Sequence, residues 1–321
     1  MAEVLEDYAL SKKTQINTGG IKKVGIIGCG TAGQEIARLI SQFGLDVGFV
    51  DLTQERIDDI INSIEKQIDE VIGKWGLTKS DKRAIMSRIQ GSTDYSAISD
   101  CDIVIETINT QSPGTNKEIR KEIFQKIEKY VSKDTIITSN TSSIMISELA
   151  SVLQYPERCV GLHFLTPEAT VKIVEVIKGV KTSEESYEKL MRFAKMIDKQ
   201  VIVLHESPGN ISTRLIVTLI NEACETFIEG VASIKCIDQT MKQGFGMQFG
   251  PFELADRIGI DKVLKWMDNL YTEFGDQRFK ASPVLKRLAR LNYLGRKTNK
   301  GFYIYDDNQI TGVSLTTLEL K

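Results

Sequence analysis

The sequence predicts an α/β fold in two domains, a mostly parallel sheet domain at residues 1–205 followed by an all-helical domain at 206–321. Three observations carry this expectation. Short apolar runs alternate with longer amphipathic stretches through the first half, which is the pattern of strands joined by crossover helices. A glycine-rich turn follows the first of those runs and opens a helix. Beyond a Pro-Gly turn at Pro208 and Gly209, strand-like runs cease and helical periodicity takes over.

Val24 to Ile27, Val47 to Val50, Ile103 to Ile105, Thr135 to Ile137 and Val160 to Leu162 read as buried strands, with Val201 to Leu204 as the last of the series. Between the second and third of these, Gln54 to Ile89 is too long for one crossover helix, and Gly73, Gly76 and Thr78 divide it into a helical hairpin. The hairpin carries Lys66, Lys74, Lys79, Lys82, Arg83 and Arg88. Two readings of these charges stand, a solvated helix face and a cationic arm for an anionic substrate tail. Within the turn cluster HESPGN at 205–210, Ser207 is placed to cap a helix and Pro208 to occupy its first position. Leu215, Leu219, Ala223 and Phe227 then recur at four-residue spacing with Ile216 and Ile220 beside them, a wide apolar face that suggests burial against a second copy and hence a homodimer. Helices are expected from Ile234 to Lys242, Phe252 to Ile258, Lys262 to Glu273 and Pro283 to Leu291.

Composition narrows the function classes. The 41 basic residues against 43 acidic ones leave a net charge of −2, without the cationic excess of a nucleic-acid binder. Five scattered cysteines without a CxxC pair or a histidine nearby predict neither a disulfide framework nor a metal site. No apolar run approaches the roughly 20 residues of a membrane span, and the first residues lack the layout of a signal peptide. The expected setting is cytoplasmic.

The run Val24 to Ile27 leads directly into Gly28-Cys29-Gly30-Thr31-Ala32-Gly33. In a GxGxxG turn the first glycine permits the tight turn, the second admits a pyrophosphate against the backbone, and the third lets helix and strand pack closely. The helix N-terminus then faces the phosphate charge. The next strand ends in Asp51, whose carboxylate would accept from both ribose hydroxyls and repel a 2′-phosphate. A Rossmann-type domain binding NAD, in preference to NADP, is the expectation.

Of the two histidines, His163 closes an apolar strand at the end where α/β sheets gather their ligands. In the following VKIVEV, Val171, Ile173 and Glu175 share a strand face, which sets a carboxylate among apolar neighbours. An unpaired charge there costs several kcal/mol, and the imidazole of His163 is its natural partner. Such a pair fixes the tautomer of a general base and stabilises its protonated form. His205, in the interdomain turn, reads as structural. The serines of Ser139-Asn140-Thr141-Ser142-Ser143 have two readings, capping of the next helix or donation of a hydroxyl to substrate or cofactor.

With these segments in place, the chain resembles the L-3-hydroxyacyl-CoA dehydrogenase family, including its short-chain 3-hydroxybutyryl-CoA members, from Lys22 to Tyr305. The motifs are GCGTAG at 28–33, SNTSS at 139–143, GLHF at 161–164, KIVEVIKG at 172–179, SPG at 207–209, GPFELAD at 250–256 and RKTNKGFY at 296–303. The resemblance implies His163 as the base, Glu175 as the residue that orients it, and Ser142 as a contact of substrate and nicotinamide. It implies Lys297 as a lysine approaching the cofactor, and the helical hairpin, with Lys74 among its cations, as the receiver of CoA.

Four departures bear on the substrate. Thr166 replaces the pocket asparagine of the family's HFFNP. Thr213 stands at the catalytic-pocket asparagine of PGFxxNR, offering one short hydroxyl donor in place of an amide. Asn210, three residues earlier and expected on the same helical face, is positioned to restore that amide. Glu168 falls among normally apolar residues. The segment NTQSPGTNKEIR after the fourth strand is longer than the family's, leaving Arg120 as its nearest cofactor-binding cation. The leading expectation is NAD-dependent interconversion of an L-3-hydroxyacyl-CoA, of short chain such as 3-hydroxybutyryl-CoA, and its 3-oxo partner. The alternatives are the same chemistry on a carrier-protein thioester or small 3-hydroxy acid, and a crystallin-like NAD-binding structural protein with little catalysis.

Overall fold

The computed structural model describes residues 20–73, 77–108, 116–165, 171–307 and 309–315. By their contacts these residues form two compact units. One comprises the described residues of Met1–Asn109 with Ile123–Asn140 and Val152–Val203; the other comprises those of Thr110–Glu122, Thr141–Ser151 and Leu204–Lys321.

The first unit is built on an eight-stranded sheet. Its strands are β1 (Lys23–Ile27), β2 (Asp46–Val50), β3 (Ile89–Ser92), β4 (Ile103–Glu106), β5 (Ile136–Ser139), β6 (Cys159–Phe164), β7 (Ile173–Lys178) and β8 (Gln200–His205), in the spatial order 3-2-1-4-5-6-7-8. β1 pairs in parallel with β2 and β4, and the parallel ladder continues through β3 on one side and β5 and β6 on the other. The order therefore reverses at β1, the topological switch point beside which doubly wound sheets hold their ligands. β7 turns back antiparallel to β6. The short IQGS of β3 lacks the apolar run that marks its neighbours, so pairing with β2, not local pattern, makes it a strand.

Helices α1 (Thr31–Gln42), α2 (Gln54–Gly73), α3 (Lys79–Met86), α4 (Lys117–Tyr130), α5 (Ile146–Ala150) and α6 (Glu184–Met196) intervene. The hairpin forms as expected. α2 runs to Gly73, and Thr78 caps α3 in a reciprocal box with Asp81. Ile57, Ile60, Ile64 and Ile68 recur at helical spacing and bury the inner face of α2, while Ser63 and Gln67 donate to Gln34 of α1. Of the hairpin cations, Lys82 is engaged within the hairpin by Glu65 at 3.2 Å and Asp69 at 2.8 Å. Lys74 lies outside the described residues.

The second unit holds α7 (Ser212–Ile228), α8 (Ile234–Phe245), α9 (Pro251–Ile258), α10 (Ile260–Phe274) and α11 (Pro283–Arg290), around a core that includes Val217, Ile220, Phe227, Phe252, Met267 and Phe302. To these helices the structure adds an antiparallel hairpin, β9 (Tyr303–Asp306) and β10 (Gln309–Val313). The buried carboxylate of Asp256 accepts the backbone N–H groups of Phe302 and Tyr303 and the Tyr305 hydroxyl, which ties the hairpin to α9. Two stretches expected in the first domain, Thr110–Glu122 and Thr141–Ser151, group with this unit by their contacts, and polar contacts accompany the grouping. Lys117 pairs with Glu148 at 3.2 Å and Glu273 at 2.6 Å, and Asn269 donates to Ser143 at 3.0 Å. The buried face of α7 overlaps the expected one in part: Ile220, Ala223 and Phe227 are buried, joined by Val217 and Cys224, whereas Leu215 is 66% exposed. Among the described residues, no helix is long and apolar enough to cross a membrane.

Candidate active site

The glycine turn joins β1 to α1 at the switch point. Gly28 has φ +80°, and a Cβ there would stand 2.7 Å from the Ile108 side chain. A Cβ on Gly33 would meet the Thr107 hydroxyl at 2.8 Å and the Gly28 carbonyl at 2.9 Å, so the third glycine serves close packing. Gly30 differs from both, since a Cβ would find nothing within 4 Å. As N-cap of α1 it brings no side chain to the helix's first N–H groups, and Thr31 and Ala32 open the helix beside it. An open cradle over uncapped donors at a helix N-terminus suits an anionic diphosphate.

Asp51 follows β2 and is 7% exposed. One carboxylate oxygen accepts the Cys29 N–H at 3.0 Å; the other accepts the Leu52 N–H at 2.8 Å and Arg56 Nε at 2.6 Å. Burial alone would raise its pKa, but the Arg56 hydrogen bond and the two backbone donors outweigh it and hold the group below the usual carboxylate range. Asp51 is therefore an ionised acceptor beside the glycine turn. Arg56 lies in the first turn of α2, five residues after Asp51, and no spacing in the sequence marks the pair.

At the other end of the parallel series, His163 on β6 and Glu175 on β7 are direct cross-strand partners. His163 Nδ1 lies 2.6 Å from Glu175 Oε2, with the two side chains 8% and 3% exposed. Where Nδ1–H donates to the carboxylate, the neutral ring keeps its lone pair on Nε2, the arrangement of an oriented base. Val171 precedes the strand, and both faces of β7 are buried, so the alternation expected there is absent. The pair is set by the antiparallel register.

Residues that sequence reasoning missed brace this end of the sheet. Asn140 Oδ1 accepts the Phe164 N–H at 2.8 Å, anchoring the strand just beyond His163, while its own N–H donates to the Glu106 carbonyl at 2.8 Å. Glu106, fully buried at the end of β4, accepts from Ser139 Oγ at 2.6 Å and from the Ile108 N–H at 2.6 Å. The available signal was a lone acid closing an apolar strand.

In the second unit, Ser142 is buried and its carbonyl accepts the Gly209 N–H at 2.5 Å. Neither Ser142 nor Ser143 caps α5, which starts at Ile146 with Met145 as an N-cap lacking a side-chain bond. The capping reading is thereby corrected. α7 also starts later than expected. Gly209 at φ +84° and Asn210 at φ +48° are successive left-handed residues, which no right-handed helix accommodates, so Pro208 and Asn210 lie in a turn before Ser212. Asn210 thus does not share a helical face with Thr213. Lys297 is paired with Asp261 at 2.5 Å. Arg120 lies on α4, in the part assigned to this unit, close enough to Lys265 that, after burial itself, its charge lowers the pKa of that lysine. His205 stands exposed at the end of β8. Thr166 and Glu168 lie outside the described residues.

A family model for the 3-hydroxyacyl-CoA dehydrogenase NAD-binding domain matches residues 23–207, and the model for that family's C-terminal domain matches residues 209–305. The chain belongs to the 3-hydroxyacyl-CoA dehydrogenase family. A 3-hydroxybutyryl-CoA dehydrogenase of Clostridioides difficile is 37% identical over 88% of this chain and 99% of its own length. The mitochondrial hydroxyacyl-coenzyme A dehydrogenase of Sus scrofa is 34% identical over 89% of this chain and 91% of its own. Among solved structures, an (S)-3-hydroxybutyryl-CoA dehydrogenase from Ralstonia eutropha matches with a TM-score of 0.79 and 36% identity, covering 89% of this chain and 100% of that one. The dehydrogenase is an oxidoreductase and its cofactor is NAD. Its glycine turn and the ionised Asp51 fit that cofactor, the first at the diphosphate and the second at a ribose.

Proposed function

We propose that this dehydrogenase interconverts a short-chain L-3-hydroxyacyl-CoA, of the 3-hydroxybutyryl type, and the corresponding 3-oxoacyl-CoA. The observation that carries the reading is the buried His163–Glu175 pair at 2.6 Å, together with the substrates named for the C. difficile and R. eutropha relatives. Bound NAD supplies the acceptor for the hydride leaving C3. His163 Nε2 takes the proton of the 3-hydroxyl, and Glu175 holds the ring in that tautomer and favours the imidazolium that forms. In the reverse direction the imidazolium returns the proton to the carbonyl oxygen. Ser142 is read as a hydroxyl contact of substrate and nicotinamide, and Arg120 and Lys297 as cationic contacts of the cofactor. Because Lys297 is half-exposed and paired with Asp261, that role requires it to exchange partners. The five cysteines form no disulfide with one another, which accords with a reducing, cytoplasmic setting.

The test is a substrate panel followed through NADH absorbance. Acetoacetyl-CoA is expected to outpace its carrier-protein analogue and small oxo acids. A preference for either alternative class would move the substrate assignment, and a panel with no turnover despite tight NADH binding would favour a structural role.

Asp51 carries a prediction of its own. Removing hydrogen bonds to a charged acceptor is worth about 1.5–3 kcal/mol, so Asp51→Ala should raise the KM for NADH about tenfold or more and narrow the preference over NADPH. Equal KM values in the variant and the parent would remove Asp51 from the cofactor site.

The second unit also supports a homodimer through its helices. Leu219, Ala223, Val231, Ile237 and Met241 line an apolar cavity of about 310 Å³, and Val231 and Phe245 nearby in sequence are 70% and 74% exposed. Light scattering should give twice the chain mass, and a monomer at assay concentration would exclude the dimer.

A further inference from the structure

Asp51 is more heavily engaged than an acceptor for two ribose hydroxyls can be. An ionised carboxylate offers about four lone-pair sites on its two oxygens. Among the described residues Oδ1 accepts both the Leu52 N–H at 2.8 Å and Arg56 Nε at 2.6 Å, and Oδ2 accepts the Cys29 N–H at 3.0 Å. A single site, on Oδ2, is left where both ribose hydroxyls were expected to find one.

The residue that takes the other site on Oδ1 is itself a donor with capacity to spare. Arg56 is held at its root, where its backbone N–H donates to the Thr53 hydroxyl at 3.3 Å, and at its head by Asp51. A guanidinium carries five N–H donors in a planar fork, and those on the terminal nitrogens of Arg56 have no hydrogen-bond partner among the described residues. Its side chain is 53% exposed, against 4% for that of Asp51. The cation is therefore the outward member of the pair. Residues 52–56 are all exposed, which leaves room beside the pair for a bulky substituent.

Charge bears on the same point. A lone carboxylate after the second strand repels a 2′-phosphate, whereas an arginine nearby accommodates one. Here both stand together and their charges cancel. Of the acids that follow on α2, Asp58 accepts from Gln54 at 2.9 Å, and the field of Asp59 acts on Arg56, which keeps the local charge from favouring the phosphate outright.

We propose that Arg56 is a specificity-determining residue of this dehydrogenase, its terminal N–H groups binding a 2′-phosphate on the adenosine ribose, so that NADP(H) is accepted as a second cofactor beside NAD. An arginine fork suits phosphate oxygens because it can offer two parallel charged bonds. The open site on Asp51 serves the 3′-hydroxyl, which both cofactors carry. The inference rests on Asp51 as the ribose acceptor and is independent of the acyl substrate.

The test is calorimetry on the full chain, without acyl substrate, using NADH, NADPH, 5′-AMP and adenosine 2′,5′-bisphosphate. In the parent, NADPH should bind within about a hundredfold of NADH, and the bisphosphate at least as tightly as 5′-AMP. Arg56→Ala should weaken NADPH and the bisphosphate about tenfold or more, the loss expected for hydrogen bonds to a charged group. NADH and 5′-AMP should stay within about threefold, because Asp51 keeps its backbone donors and regains an acceptor site for the 2′-hydroxyl. No detectable binding of NADPH or the bisphosphate to the parent would overturn the proposal, as would parental NADPH affinity in Arg56→Ala. An equal loss of NADH and NADPH in that variant would overturn it too, by assigning Arg56 to the support of Asp51 alone. Asp51→Ala separates the two levels: unaltered NADH affinity there removes the ribose reading and the proposal with it, whereas the Arg56→Ala outcomes bear on the 2′-phosphate and leave that reading standing.

Discussion

Replacement of His163 by alanine is expected to lower kcat by about 10²–10⁴-fold, the range contributed by a positioned general base, with NADH binding retained. The 3-hydroxyl of the substrate does not release its proton unaided at neutral pH, and His163 is the imidazole that the sheet holds against a carboxylate, 2.6 Å from Glu175. The glycine turn and Asp51 are built on β1, α1 and β2, and no contact of His163 enters their hydrogen bonding. The kinetic loss should therefore appear without a change in cofactor affinity, measured by quenching of NADH fluorescence. A His163→Ala enzyme that turns over acetoacetyl-CoA at the parental rate would end the mechanism.

For Glu175→Gln the expected loss in kcat is about ten- to hundredfold, from the 1.5–3 kcal/mol associated with a hydrogen bond to a charged group. The amide oxygen of glutamine still accepts from Nδ1–H, so ring orientation survives while the negative charge that favours the imidazolium is gone. Glu175→Ala removes both and leaves the imidazole buried without its carboxylate. Breaking a buried pair in this way costs about 3–5 kcal/mol, so a drop in thermal unfolding temperature should accompany the catalytic defect, whereas the glutamine variant should melt close to the parent. A glutamine variant with parental kcat would assign Glu175 to packing alone.

Much of the site was legible in the chain because each signal was local. Gly28, Gly30 and Gly33 are spaced for one turn and one helix start, and the structure gives each the environment that its place in the motif implies, down to the empty space over Gly30. The two helices of the hairpin were legible for the same reason, with isoleucines at helical spacing in the first and Thr78 marking the start of the second. Where the reading went astray, a long-range contact had overruled a local preference. Ser142 and Ser143 have the side chains of helix caps, but the Ser142 carbonyl is taken by Gly209 and the Ser143 hydroxyl by Asn269. Pro208 has the ring of a first helical residue, yet the left-handed pair at Gly209 and Asn210 delays the helix to Ser212.

The amino-acid order by itself determined that a nucleotide-binding turn follows the first strand, that an acid ends the second, and that a histidine and a glutamate lie on successive strands. These are properties of spacing, and spacing survives any arrangement of the rest. Only the tertiary structure decided that β7 runs antiparallel to β6 in the register that sets Glu175 opposite His163, and that Arg56 and backbone donors keep Asp51 ionised. Register, burial and hydrogen-bond competition arise among residues far apart in the chain, and they exist only once those residues have been brought together.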